Sequence, residues 1–198
     1  LEIKASGMCG SDLHRYRAAP GGSNAGGVRR SSEPTIAGHE PCGIVAAIGT
    51  AVTEKEAFVG QRVMDHHYGG CGVCKHCSSG WAQMCLEGTT VYGSGGHGAH
   101  AKYMKVPVST LVPLHDDLSF EVGAAISCGT GTAYGALRRL DLKGDETIAI
   151  FGQGPVGLAG TQLASAMGAR VIALDISPER RALAKEFGAD EVLDPLGN

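Results

Sequence analysis

The chain has 198 residues, 43% of them hydrophobic and 19% charged, with a net charge of −3. That length holds one large domain or two modest ones, and the balance is ordinary for a soluble globular protein. There is no basic field to draw in nucleic acid or acidic lipid. No apolar run approaches the ~18 residues of a membrane span, and no signal-peptide pattern is visible.

The chain opens at Leu1, without Met and in a segment that reads as a strand, and soon reaches Cys9-Gly10-Ser11-Asp12-Leu13-His14. Its 31 glycines far exceed the usual share of about 7%. Some of them sit in Pro20 to Gly27, ahead of Arg29 and Arg30, a stretch that reads as a solvated loop. Gly38-His39-Glu40 follows. The apolar run Gly43 to Gly49, the segment Gln61 to Met64, and Ala101 to Val108 read as strands, the last followed by Leu111-Val112-Pro113. Short strands separated by Gly and Pro predict a barrel or sandwich.

Between these strands lies Cys71-x2-Cys74-x2-Cys77-x7-Cys85. Four thiolates at such spacing meet at one tetrahedral point around an ion, the usual form of closed structural zinc. The bacterial ferredoxin run would place its fourth cysteine where Trp81 stands and follow it with Pro; here Leu86 follows Cys85. A disulfide scaffold fits poorly with seven cysteines, an odd count, in a chain this long. Thiols that read as ligands favour a reducing, cytoplasmic setting.

The period changes near residue 119. Ser119 caps a short helix with Glu121 in its first turn, and Gly129 to Leu140 reads as helix around Cys128-Gly129-Thr130-Gly131-Thr132. From Thr147 the pattern is strand (Thr147 to Phe151), helix (Pro155 to Met167, closed by Gly168), strand (Val171 to Leu174), helix (capped by Ser177, with Pro178 at its first position), strand (Glu191 to Asp194). Alternation of this kind predicts a doubly wound parallel sheet.

Gly152-Gln153-Gly154-Pro155-Val156-Gly157 follows the first of these strands and opens a helix, the context a dinucleotide fingerprint needs. Gly152 makes the turn, Gly154 lets a pyrophosphate approach, and Gly157 lets helix and strand pack closely. The helix start at Pro155 and Val156 supplies amides and a positive dipole end. Asp175, 18 residues after Gly157, stands where an acid accepts hydrogen bonds from the adenosine ribose, which favours NAD. The same Asp could simply cap the next helix, and Arg180 and Arg181 leave room for the 2′-phosphate of NADP.

Taken singly, Cys9, His39, Glu40 and Cys128 have bland readings, as do Cys42 and His66, which read as ordinary structural residues. Together the motifs resemble the zinc-dependent alcohol dehydrogenases of the medium-chain dehydrogenase/reductase group. Gly38-His39-Glu40-x2-Gly43-x5-Gly49-x2-Val52 fits that family's zinc signature without a gap. Cys-Gly-Ser-Asp-x-His, the four-cysteine lobe, Cys-Gly-x-x-Thr and the glycine turn stand in the family's order along the chain.

The resemblance implies an α/β protein: a GroES-like β-barrel catalytic domain at 1–130, with its zinc lobe near 71–85, then the first half of a Rossmann sheet at 131–198. It implies that Cys9, His39 and Cys128 hold a catalytic zinc and that Cys71, Cys74, Cys77 and Cys85 hold a structural one, two zinc per chain. Glu40 matches the acid that approaches the metal during ligand exchange, and Asp12 the carboxylate that orients the ligand histidine. Ser11 matches the hydroxyl that takes the substrate's proton, His14 the outer end of that relay, and Thr132 a residue facing the nicotinamide. The reaction implied is hydride transfer between an alcohol or polyol and NAD, giving an aldehyde or ketone. Zinc in such a site acidifies a bound hydroxyl. The implied partners are a small alcohol or carbonyl compound and, at full length, further copies in a homodimer or homotetramer, with no nucleic acid or membrane. With three strands where the full doubly wound sheet has six, the chain reads as a fragment expected to turn over poorly by itself. A non-catalytic zinc- and nucleotide-binding protein of the same fold is the alternative, and it would have no use for Ser11, His14 or an open Cys-His-Cys set.

Overall fold

The computed structural model describes residues 1–17 and 34–197; the glycine-rich stretch from Pro20 to Gly27, with Arg29 and Arg30, lies outside them. The chain divides into two compact units, Leu1–Cys128 and Gly129–Asn198.

In the first unit the elements run β1 (Glu2–Gly7), α1 (Gly10–Arg17), β2 (Glu40–Ile44), β3 (Arg62–Asp65), β4 (Tyr68–Gly69), α2 (Lys75–Ser78), β5 (Thr90–Val91), β6 (Leu111–Pro113) and α3 (Phe120–Ala125). An antiparallel sheet is ordered β1-β2-β3-β6, and β4 pairs with β5 beside it. Gly43 faces Ile3 across the β1–β2 ladder, where a Cβ would run into the Glu2 carbonyl, so only glycine allows this approach. The core gathers Cys42, Met64, Leu114 and Ala124, with Ala5, Leu118, Phe120 and Ile126 packed on it. Cys42 is a core thiol, as its sequence context implied: burial pushes it up to about 11. The hydroxyl of Ser119 accepts from the Val122 amide at 3.3 Å, so the expected cap of α3 is present.

Two expected strands differ. The run Gly43 to Gly49 is a strand only as far as Ile44. Val45 then exchanges both backbone bonds with Gly60 and Gln61, and Ala46 to Gly49 lie exposed. Ala101 to Val108 contributes one isolated bridge, Tyr103 to Glu2, with bonds from Ile3 to Lys102 and from Met104 to Leu1. These contacts reach only Leu1, Glu2 and Ile3, so alternation alone did not make a strand there.

The second unit runs α4 (Gly131–Leu140), β7 (Thr147–Phe151), α5 (Pro155–Ala166), β8 (Arg170–Leu174), α6 (Pro178–Glu186) and β9 (Glu191–Leu193). The sheet is parallel, ordered β7-β8-β9, as the alternating pattern predicted. Ser177 caps α6 through the Arg180 amide, and Pro178 sits at its first turn. Gly168 and Gly188 end α5 and α6 at φ of 89° and 98°, a conformation costly for any residue with a Cβ. Val171 and Ala173 of β8 are fully buried against Leu137, Ala164, Ala184 and Ala189. Burying a side chain the size of Val contributes on the order of 1.5–3 kcal/mol.

Candidate functional site

Cys9 stands in the turn from β1 into α1, where its carbonyl accepts the amides of Asp12 and Leu13. His39 immediately precedes β2, and Glu40 opens that strand opposite Gly7, whose missing Cβ leaves room for the Glu40 carboxylate. Cys128 lies in a π-helical segment, Ile126–Thr130, between α3 and α4. Segments of this kind are rare and often mark functional positions. From three separated stretches of chain the fold thus brings Cys9, His39, Glu40 and Cys128 together, with one ligand atom of each within 4.8 Å of the others.

One carboxylate ties this cluster. Asp12, 8% exposed, places Oδ1 3.1 Å from His39 Nδ1, while its Oδ2 accepts the Cys9 amide at 3.0 Å. With Nδ1–H committed to Asp12, the neutral imidazole of His39 offers its lone pair at Nε2. Ser11 Oγ lies 3.4 Å from that Nε2. His14 is exposed one helical turn farther along α1. Cys128 is pushed up to about 12 by burial and by the neighbouring Cys9 and Glu40. Two sulfurs, an imidazole and a carboxylate gathered so closely suit a divalent cation, which would offset that repulsion with the thiols ionised.

His67 was missed in the sequence. Its ring, 4% exposed, stands 5.0 Å from that of His39, edge to face, and its Nδ1 has no hydrogen-bond partner among the described residues. Burial, above all, brings it down to about 4. The signal in the sequence is the His66-His67 pair just before the four-cysteine loop.

The second cluster is local. Ligand atoms of Cys71, Cys74, Cys77 and Cys85 also lie within 4.8 Å of one another, around α2 and a 3-10 turn at Ala82–Met84. The amides of Cys71 and Cys74 donate to the sulfurs of Cys85 and Cys71, each at 3.3 Å. Gly70 carries no side chain where Cys77 Sγ sits 2.6 Å from the position of a Cβ. Backbone amides hold Cys74 down at about 6 and lower Cys85. Cys77, although the Gly72 amide pulls it down, is pushed up to about 12 by burial and the three surrounding sulfurs. Four thiols so placed ionise together only around a cation.

In the second unit, Gly152 turns out of β7 at φ 84° and Gly154 caps α5, with Pro155 at its first position and Val156 next, half exposed. A Cβ on Gly157 would run into the Gly152 carbonyl, while one on Gly154 would meet nothing within 4 Å, leaving space of the kind a pyrophosphate needs. Asp175 follows β8. Its Oδ1 accepts the Ser177 amide at 2.8 Å and its Oδ2 the Gln153 amide at 2.6 Å; these two bonds hold its carboxyl below the usual range. Arg180 Nη1 is 3.7 Å from Oδ2 on an exposed side chain. Arg181 is committed elsewhere, to the carbonyls of Asp175 and Ile176 and to Asp194. Thr132 stands exposed at the second position of α4.

The family model described as the alcohol dehydrogenase GroES-like domain matches residues 1–116, more than half of the 198 residues. The chain belongs to the zinc-dependent alcohol dehydrogenase family. The model described as zinc-binding dehydrogenase matches residues 155–198. Among its relatives, an uncharacterized zinc-type alcohol dehydrogenase-like protein of Escherichia coli, YphC, is 39% identical over 190 residues, covering 95% of this chain and 53% of the relative. An alcohol dehydrogenase of Geobacillus stearothermophilus is 38% identical over 98% of this chain and 55% of its own length. Acetophenone reductase from Geotrichum candidum, solved in complex with NAD, superposes with a TM-score of 0.80 at 35% identity, covering 98% of this chain and 54% of that one. The chain spans about half the length of the curated relatives it matches. In this family member the stretch matched by the GroES-like model holds Cys9, His39, Glu40 and the four-cysteine cluster, Cys128 follows it, and the parallel sheet is the start of a Rossmann fold. No helix among the described residues is long and apolar enough to cross a membrane.

Proposed function

We propose that the chain provides the metal centre and the adenosine-binding turn of an oxidoreductase that moves a hydride between an alcohol or polyol and NAD. The observation that carries this reading is the Cys9, His39 and Cys128 set, braced by Asp12 and flanked by Ser11. Zinc bound there would supply Lewis acidity that makes an alcohol hydroxyl acidic near neutral pH, and NAD would supply the hydride acceptor. Asp12 holds His39 in the tautomer that presents Nε2. The Ser11 hydroxyl, beside that nitrogen, takes the substrate's proton. His14, one turn along and exposed, receives it next and releases it to solvent. Glu40 is the further donor within the cluster, placed to approach the metal as substrate and water exchange.

Cys71, Cys74, Cys77 and Cys85 hold a second, closed zinc whose role is structural. At the glycine turn, the amides at the start of α5 and its dipole receive the pyrophosphate. Asp175 accepts the ribose hydroxyls on its remaining lone pairs, and its charge opposes a 2′-phosphate. Arg180 is the residue through which NADP could be accommodated. The thiol-rich clusters suit a reducing, cytoplasmic compartment.

The test is elemental analysis together with NADH formation over a panel of alcohols and polyols. Two zinc per chain are expected, one lost in Cys9→Ser and the other in Cys74→Ser. Substantial iron with visible absorbance, or a Cys9→Ser variant that keeps both metals and full activity, would overturn the assignment.

A further inference from the structure

Gln153 lies between two glycines of a surface turn, yet it is the largest fully buried side chain among the described residues. Burying an amide is unfavourable unless its polar ends find partners; both do here, and with the backbone amide the residue reaches three elements. Nε2 donates to the Ile150 carbonyl of β7 at 2.9 Å, Oε1 accepts from the Thr161 hydroxyl of α5 at 2.9 Å, and the backbone amide donates to Asp175 beyond β8 at 2.6 Å. Thr161 is itself fully buried. A threonine inside a helix ordinarily returns its hydroxyl to a carbonyl of its own helix; this one gives it to the turn.

A turn with glycines at 152, 154 and 157 is otherwise free to wander, and each glycine adds backbone freedom that a ligand would have to remove. The Gln153 side chain removes it in advance. It joins the end of β7 to the middle of α5 and so fixes the residue whose backbone amide holds the Asp175 carboxylate, so that the amides facing a pyrophosphate and the acceptor facing a ribose keep a set separation.

We infer that Gln153 and Thr161 are positioning residues for the dinucleotide: their hydrogen-bonded pair pre-organises the glycine turn and Asp175 for the adenosine diphosphate moiety of the cofactor. The inference rests on the nucleotide reading of the turn given above. Neither residue need touch the cofactor. The gain in affinity comes from ordering completed before binding.

Calorimetric titration of the chain with ADP-ribose and with NAD tests this, alongside zinc content and melting temperature for each variant. Gln153→Leu keeps the volume and loses both side-chain bonds. It is expected to weaken ADP-ribose by about tenfold, with a more unfavourable binding entropy and unchanged zinc. Thr161→Val is expected to weaken it less, Thr161→Ser to bind like the parent, and the double variant to be no worse than Gln153→Leu. A folded Gln153→Leu that melts earlier but binds ADP-ribose with parental affinity overturns the inference and leaves the nucleotide reading intact. A parent chain that takes up no ADP-ribose overturns the nucleotide reading and this inference with it. Should Gln153→Leu fail to fold, the Thr161 pair decides: equal affinities for Val and Ser refute the positioning role.

Discussion

Asp65, the last residue of β3, is completely buried; its Oδ1 lies 2.5 Å from Thr110 Oγ1, and its Oδ2 has no partner among the described residues. Thr110 Oγ1 is also 2.8 Å from the Pro107 carbonyl. One hydroxyl hydrogen serves one of these acceptors at a time. A protonated Asp65 resolves the conflict, donating to Thr110 while Thr110 donates to Pro107. Burial raises the carboxyl from 3.8 to about 7, the Thr110 bond pulling the other way. The folded chain therefore holds a proton that the unfolded chain releases, so stability falls as pH rises between these two values and levels off above them. At 1.36 kcal/mol per unit, a shift of about 3 units corresponds to roughly 4 kcal/mol of lost stability at pH 8. Asp65→Asn stays neutral and can donate its amide to Thr110. The variant should match the parent near pH 4 and exceed it at pH 8 by about 2–4 kcal/mol, the lower end allowing for the orphaned buried oxygen of the amide. Urea unfolding followed by the fluorescence of Trp81, the single tryptophan, at a series of pH values would measure this. A variant destabilised equally at every pH would mean that Asp65 is folded as a carboxylate, and the reasoning would fail.

Other expectations follow from the two clusters and the turn. Cys74→Ser should destabilise the first unit, because structural zinc contributes directly to folding free energy, whereas Cys9→Ser should leave the melting temperature nearly unchanged and abolish activity; equal melting losses in both would contradict the division into structural and catalytic sites. Asp12→Asn should lower zinc affinity at the Cys9 cluster by about 10–100-fold in a chelator competition, since Asp12 orients His39 and anchors Cys9; unchanged affinity would deny it that role. Asp175→Ala should weaken NAD and narrow its advantage over NADP, and a parent preference for NADP would move the determinant to Arg180.

The sequence by itself determined whatever depends on neighbours along the chain. The four-cysteine lobe is legible because all its ligands fall within residues 71–85, and the glycine turn because strand, turn and helix are consecutive. The caps at Ser119 and Ser177 are equally local. The Cys9, His39, Glu40 and Cys128 set was different: spread over 120 residues, it was visible only through its resemblance to a family, since no local spacing says that three separated segments converge. The tertiary structure decided what depends on packing. It ended the Gly43–Gly49 strand at Ile44, where Val45 turned to Gly60 and Gln61, and left Ala101–Val108 without a ladder. It placed His67 against His39, committed Arg181 to carbonyls and Asp194, and buried Gln153 and Asp65 where composition would have put them on the surface. Period and spacing encode which groups are present and how they are ordered. Which of them lose water, and which partners then satisfy them, is decided only when distant segments close over them.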